Sequence, residues 1–72
     1  MATRFRLGEL LDAAGMTQTD LHRKSGVAYS TINGLVLNKA RQISLDTLDS
    51  LSQVLGCEPG DLIVRDPKFR RR

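Results

Sequence analysis

Seventy-two residues are enough for one compact domain but too few for an enclosed active site with a lid of its own. Apolar residues make up 40% of the chain and only three residues are aromatic, which favours a small helix bundle with an aliphatic core. The net charge of +3 is modest, and one cysteine with one histidine excludes both an internal disulfide and a structural zinc site.

The first predicted element is a helix from Arg4 to Ala14, and Gly15 is well suited to end it. Its apolar residues recur at the spacing i, i+3, i+4 and i+7, which places them on one face of a helix. These residues are Leu7, Leu10, Leu11 and Ala14.

A second, shorter helix is predicted from Thr19 to Ser25. Thr17 followed three residues later by Asp20 is typical of a capping box, in which each residue satisfies the backbone of the other. Leu21 would then point into the core, and Gly26 would end the helix.

A third helix is predicted from Tyr29 to Leu37, because Ile32 and Leu35 recur at helical spacing. Asn38 would end it, and the following segment KARQI, residues 39–43, is predicted to be a loop.

The fourth predicted helix begins after Ser44, a favourable N-cap, with Asp46 near its positive end, and Gly56 ends it. Its apolar stripe consists of Leu48, Leu51, Val54 and Leu55. Glu58 could cap a fifth short helix with Pro59 at its first position, after which the chain would fold back onto the core.

The chain is expected to form one domain over residues 1–64, followed by a basic tail over residues 65–72. The tail contains a proline and mostly charged residues, so it offers little surface to bury and is predicted to be disordered. It could be an arm that follows DNA into a groove or simply a solubilising end.

The second and third helices form a helix-turn-helix pattern around Gly26. Two helices joined by a short turn containing glycine cross steeply, so that the first braces the second and the second projects outward. Within the frame that starts at Gln18, the positions that must be apolar or glycine are occupied by Leu21, Gly26, Val27, Ile32 and Leu35.

Charge is distributed unevenly around this pattern. The segment from Leu21 to Leu45 contains four basic residues and no acidic residue, whereas residues 1–64 as a whole carry six basic and seven acidic residues. A positive zone in a nearly neutral domain suggests a face for an anionic partner, although charge alone fits a solvated surface equally well.

The blocks TQTDL, SGV, STI and ISLDTLDSLSQVLGCEPGDLI, in this order and spacing, resemble the phage-repressor (Cro-like, XRE) family of helix-turn-helix DNA-binding domains. The resemblance covers about residues 5–64. It implies an all-α fold, a compact five-helix lambda-repressor-like bundle. It also implies a transcriptional regulator, of the repressor kind, that inserts the helix at about residues 29–37 into the major groove of double-stranded DNA.

The same resemblance implies which side chains contact DNA. Those expected at base edges, at the exposed start of the recognition helix, are Tyr29, Ser30, Thr31 and Asn33. Those expected at phosphates are Gln18, Asn38, Lys39 and Arg41. Asparagine can pair with adenine through two hydrogen bonds, but serine and tyrosine make looser contacts, so affinity would depend mainly on phosphates.

Two residues depart from the family pattern. His22 stands where the family favours alanine, and we expect a partly exposed imidazole rather than a pH switch. Ala28 stands where the family often has a serine or threonine cap, so the recognition helix is expected to fray at its start. Elsewhere, Cys57 is expected to be a small buried apolar residue rather than a redox sensor.

A homodimer is expected, because one recognition helix contacts few base pairs and two copies can read a pseudo-palindrome. Five apolar residues in the C-terminal half are candidates for the dimer surface: Val36, Leu37, Ile43, Ile63 and Val64. For Ile43 and Ile63, completion of the core is the favoured interpretation.

An enzyme is not expected, since no histidine and aspartate accompany Ser30 or Thr31 in a catalytic arrangement. The main alternative to DNA binding is a protein-interaction module or antitoxin-type adaptor that keeps the fold. No apolar run approaches the ~20 residues that span a bilayer, so we expect a soluble cytoplasmic protein with no cofactor, metal or membrane partner.

Overall fold

The computed structural model describes residues 3–68, which fold into four α-helices, one 3-10 helix and two short strands. In chain order these are β1 (Thr3–Phe5), α1 (Leu7–Ala14), α2 (Gln18–Ser25), α3 (Tyr29–Val36), α4 (Leu45–Leu55), the 3-10 helix (Pro59–Leu62) and β2 (Ile63–Arg65). The predicted all-α class is confirmed, and the fifth predicted helix is present as the 3-10 helix.

The helix boundaries follow from the residues that cap them. Ser44 begins α4, since its hydroxyl oxygen accepts a hydrogen bond of 3.1 Å from the N–H of Thr47. At the other end, α1 and α4 close on Gly15 and Gly56, whose φ angles of 66° and 70° lie in the left-handed region that glycine adopts without strain.

The first predicted helix is wrong at its beginning, because α1 starts at Leu7 and not at Arg4. Residues 3–5 form β1 instead, which pairs antiparallel with β2 in the register that sets Arg4 opposite Val64. The N–H of Arg6 continues the pairing by donating to the carbonyl of Leu62 at 2.9 Å. Backbone groups engaged in this way are not available to extend a helix.

The core lies where α2 packs against both α3 and α4, and α1 closes it from the side of α3. Seven aliphatic side chains are buried in it: Leu7, Leu11, Leu21, Ile32, Leu35, Leu51 and Leu62. Ala14, predicted on the apolar face of α1, is exposed. Among residues 3–68, no helix has both the length and the apolar character needed to cross a membrane.

The described part of the predicted tail begins inside the sheet. Arg65 belongs to β2 and pairs with Thr3. The carboxylate of Asp66 accepts hydrogen bonds from the N–H of Lys68 and from Arg4 Nε, both at 3.0 Å, and these bonds hold its pKa below the ordinary value. The remaining tail, residues 69–72, lies outside the described residues.

Candidate nucleic-acid interface

The start of α2 is fixed by the predicted capping box. The hydroxyl oxygen of Thr17 accepts from the N–H of Asp20, and the Asp20 carboxylate accepts from the N–H of Thr17, each at 3.1 Å. The bond from the Thr17 N–H is the main reason that the pKa of Asp20 lies below its ordinary value. Gln18, the first residue of α2, therefore stands at a well-defined helix start.

Gln18 is tied to the middle of α3. The side-chain nitrogen of Asn33 donates to Gln18 Oε1 at 3.0 Å, and both residues are half-buried. The bond leaves the Gln18 nitrogen, and one N–H and the oxygen of the Asn33 amide, available for other partners. A residue predicted to contact phosphate and a residue predicted to contact bases are thus in direct contact.

The turn between α2 and α3 is closed by local hydrogen bonds. Gly26 has a φ angle of 76°, and its N–H donates to the carbonyl of His22 at 3.0 Å. The Ser25 hydroxyl donates to Leu21 O at 2.6 Å and accepts from the N–H of Val27 at 3.1 Å. The bend around a glycine predicted from the sequence is therefore a turn whose polar groups are largely satisfied within it.

Helix α3 presents its first turn to solvent. Tyr29, Ser30 and Thr31 are exposed, while Ile32 and Leu35 on the opposite side are buried in the core. Ala28 stands at the N-cap and supplies no side-chain acceptor, so the expected absence of a cap is confirmed. The N–H of Thr31 donates to the carbonyl of Ala28, whereas those of Tyr29 and Ser30 have no hydrogen-bond partner within residues 3–68 and can meet an anionic partner.

The loop after α3 carries two exposed cations, Lys39 and Arg41. Neither forms an ion pair within residues 3–68. The loop is anchored to α3 because the N–H of Lys39 donates to the Gly34 carbonyl at 2.9 Å. Both charges therefore project from a loop whose path is fixed by backbone bonds.

Asn38 anchors the same loop to the sheet. Its side-chain oxygen accepts from the N–H of Phe5 at 2.7 Å, and its side-chain nitrogen donates to the carbonyl of Phe5 at 3.0 Å. Its own N–H donates to the Leu35 carbonyl at 3.2 Å. The residue predicted to bind phosphate is thus engaged in a structural contact, because its amide matches the two backbone groups on the edge of β1.

Comparison with known proteins assigns this arrangement to a family. The family model for the Cro/C1-type helix-turn-helix (HTH) DNA-binding domain matches residues 6–68. The chain belongs to this family. The HTH domain is also similar to the uncharacterized HTH-type transcriptional regulator YozG of Bacillus subtilis strain 168. The two are 30% identical over 63 residues, which span 88% of this chain and 75% of YozG.

Two solved structures share the fold of this HTH domain. A candidate DNA-binding protein from Bacteroides fragilis superposes with a TM-score of 0.75 at 29% identity, over 86% of this chain and 98% of that one. SinR, the master regulator for biofilm formation, solved in complex with DNA, has a TM-score of 0.75 at 26% identity, over 79% of this chain and 90% of that one.

Sequence reasoning missed two contacts in the HTH domain, the Asn33–Gln18 bond and the Asn38–Phe5 pair. Both join residues that are distant in sequence, 15 and 33 positions apart. The one available signal was an asparagine directly after a helix, since asparagine tolerates the left-handed conformation that such positions adopt.

His22, which departs from the family pattern, closes the turn of the HTH domain. It is exposed, and its Nδ1 lies 2.6 Å from the carbonyl of Val27. A carbonyl can only accept, so Nδ1 carries the proton. The ring also stands edge-on to Tyr29, with centroids 6.4 Å apart. The imidazole thus points to the side of the helix crossing and helps to hold the ring of Tyr29.

Cys57 lies directly after α4 in the chain and is half-buried. Burial raises the pKa of its thiol because desolvation disfavours the thiolate, and the nearby charge of Asp61 acts in the same direction. A raised pKa lowers the thiolate fraction, which is the reactive form. This environment agrees with a structural role.

Proposed function

We propose that the protein is a sequence-specific regulator of transcription that binds double-stranded DNA as a homodimer and inserts α3 into the major groove. The observation that carries the proposal is the exposed first turn of α3, together with two exposed cations in the loop after α3 that have no acidic partner within residues 3–68, in a chain of the Cro/C1-type family. By occupying an operator, such a dimer would act as a repressor.

Base contacts are assigned to the exposed residues Tyr29, Ser30 and Thr31 and to Asn33. With one amide hydrogen donated to Gln18, Asn33 retains one N–H and its oxygen. That is the donor and acceptor pair which matches N7 and N6 of adenine in the major groove. Asn33 is therefore proposed as the main discriminating residue.

Phosphate contacts are assigned to the side-chain nitrogen of Gln18 and to Lys39 and Arg41. Both cations lie in the loop that follows α3 and have no acidic partner within residues 3–68. Asn38 would support these contacts indirectly by holding the loop against β1. Binding that depends on such contacts falls steeply with salt.

The first test is a selection of bound duplexes from a random pool at physiological salt. Enrichment of a pseudo-palindrome with half-sites about one helical turn apart would support the proposal. Retention without enrichment would replace it with phosphate-led, non-specific binding. No retention at all would favour the protein-interaction module over a DNA-binding regulator.

Two substitutions separate the assigned roles. Asn33→Ala should change the selected sequence at one position of each half-site, because it removes the adenine-reading amide. Lys39→Ala should weaken binding to all duplexes about equally and reduce the salt slope by about 1. Lys24→Ala is the matched control, since it removes an exposed positive charge outside the assigned contacts. Equal effects of Lys24→Ala and Lys39→Ala would contradict a specific phosphate contact.

A further inference from the structure

The two strands of the sheet differ in what covers their outer edges. The N–H and carbonyl of Phe5 point away from β2, because both bond to the Asn38 side chain. Along an antiparallel strand, the backbone N–H and carbonyl groups of successive residues point alternately toward the paired strand and away from it. Those of Arg4 therefore face Val64. The edge of β1 is thus closed at Phe5 by a side chain that imitates a third strand.

The same alternation fixes whether the backbone groups of each residue in β2 point toward β1 or away from it. The carbonyl of Leu62 faces inward, since it accepts from Arg6, and Val64 faces inward opposite Arg4. Ile63 and Arg65 therefore direct their N–H and carbonyl groups outward. Within residues 3–68 these groups have no hydrogen-bond partner. A strand edge of this kind is a template for another strand.

We propose that β2 pairs antiparallel with β2 of a second copy, around a two-fold axis that passes beside Val64. In this register Ile63 lies opposite Arg65 of the second copy, and Arg65 lies opposite Ile63. These are the residues whose backbone groups face outward, so each of the two pairs exchanges two hydrogen bonds. The result is a continuous four-stranded sheet across the dimer.

The edge is self-complementary in its side chains as well. Like charges directly opposite each other destabilise a sheet, but here Arg65 meets an isoleucine and not its own copy. Val64 meets Val64 of the second copy, a β-branched pair suited to a sheet. Ile63 is 39% exposed in the single chain and would be covered. No other register of this strand pairs both outward-facing residues.

A groove beside β2 supplies the apolar area that so short a strand lacks. It has a volume of about 260 Å³, and its lining combines the apolar side chains of Phe5, Ile43 and Ile63 with the polar residues Thr3, Arg4, Arg41 and Gln42. In the proposed register Arg65 of the second copy crosses Ile63, so its aliphatic stem can cover this groove. Pro67 has no N–H and follows β2 closely, which keeps the new pairing to three residues on each side.

The dimer would be weak in free solution and strong on DNA. Three residues a side bury little surface, whereas a duplex with two half-sites holds two chains at high effective concentration. The role of the sheet in operator binding rests on the proposed function, but the pairing itself does not. It can therefore be tested without DNA.

Cysteine cross-linking tests the register in a Cys57→Ser background, which leaves a single thiol in each variant. In the proposed register the two Val64 residues form a non-hydrogen-bonded pair. The Cα atoms of such a pair lie about 4.5 Å apart, within disulfide reach. The two Arg65 residues are offset by two positions along the paired strands. The rise per residue and the strand spacing then place their Cα atoms about 8 Å apart, which is too far for a disulfide. Val64→Cys should therefore form an oxidised dimer and Arg65→Cys should not.

Three results would overturn the proposal: equal cross-linking of the two cysteine variants, no cross-linking of Val64→Cys, or a strictly monomeric parent at millimolar concentration by sedimentation. Circular dichroism of each variant checks that it is folded. None of these measurements contains DNA. Failure of the protein to bind any duplex would therefore count against the proposed function and not against the pairing of β2.

A second pair of variants tests the edge hydrogen bonds. Arg65→Pro removes an N–H that faces solvent in the single chain, and proline is tolerated at such edge positions. Arg65→Ala removes the same charge but keeps the N–H. Arg65→Pro should abolish self-association and cooperative binding to paired half-sites, while its affinity for a single half-site matches that of Arg65→Ala. Equal self-association of the two variants would refute the edge pairing.

Discussion

Asn38 offers the sharpest test of how the loop after α3 is held. It is the one non-glycine residue with a positive φ angle, 58°, among residues 3–68. Its amide also makes both hydrogen bonds to the backbone of Phe5, at 2.7 and 3.0 Å. A substitution here therefore removes two interactions and, depending on the new residue, adds backbone strain.

The expected loss follows from these contributions. Each hydrogen bond contributes about 1 kcal/mol net, so Asn38→Gly, which tolerates the backbone angle, should lower the free energy of unfolding by about 2 kcal/mol. Asn38→Ala adds a Cβ in the left-handed region and should lower it by about 3 kcal/mol.

Urea unfolding followed by circular dichroism gives these values directly, provided that the slope of the transition is unchanged among the variants. The order of stability should be wild type, Asn38→Gly and Asn38→Ala. An alanine variant within about 0.5 kcal/mol of wild type would refute the clamp, since surface substitutions commonly fall in that range.

Four further predictions concern the helices and their ends. Gly8→Ala places a methyl group 3.5 Å from a side-chain carbon of α3, an ordinary contact, and should raise the free energy of unfolding by about 0.5–1 kcal/mol in urea melts. Gly26→Ala, with φ at 76°, should lower it by about 1 kcal/mol because a Cβ strains this backbone angle, and an unchanged free energy of unfolding would contradict that strain. Ala28→Ser supplies the missing cap and should stabilise by about 1 kcal/mol with slower amide exchange in the first turn of α3; unchanged exchange would count against fraying. The folded pKa of Asp20 is depressed by Thr17, so its stabilising effect is present above the ordinary value of 3.8 and is lost as the pH falls below it. Asp20→Asn should flatten that part of the pH–stability curve, and unaltered acid sensitivity would contradict the effect.

The sequence by itself determined the helices, because their signals are local. Capping residues such as Thr17 and Ser44, and glycines such as Gly26, act on backbone groups a few positions away. The spacing of Ile32 and Leu35 likewise fixes which face of α3 is buried. The exposed start of α3 could therefore be predicted without coordinates, and the family blocks added the expected DNA contacts, which remain predictions.

Only the tertiary structure decided how distant segments meet. Arg4 and Phe5 are predicted from the sequence to begin a helix, yet they pair with β2 because the 3-10 helix returns the chain beside them. Three-residue strands are too short for an alternating pattern to be detected. For the same reason Ile63, expected to complete the core, is exposed on an edge strand. The role of Asn38 also depends on Phe5, 33 positions away, because a side-chain amide finds such a partner only after the chain has folded.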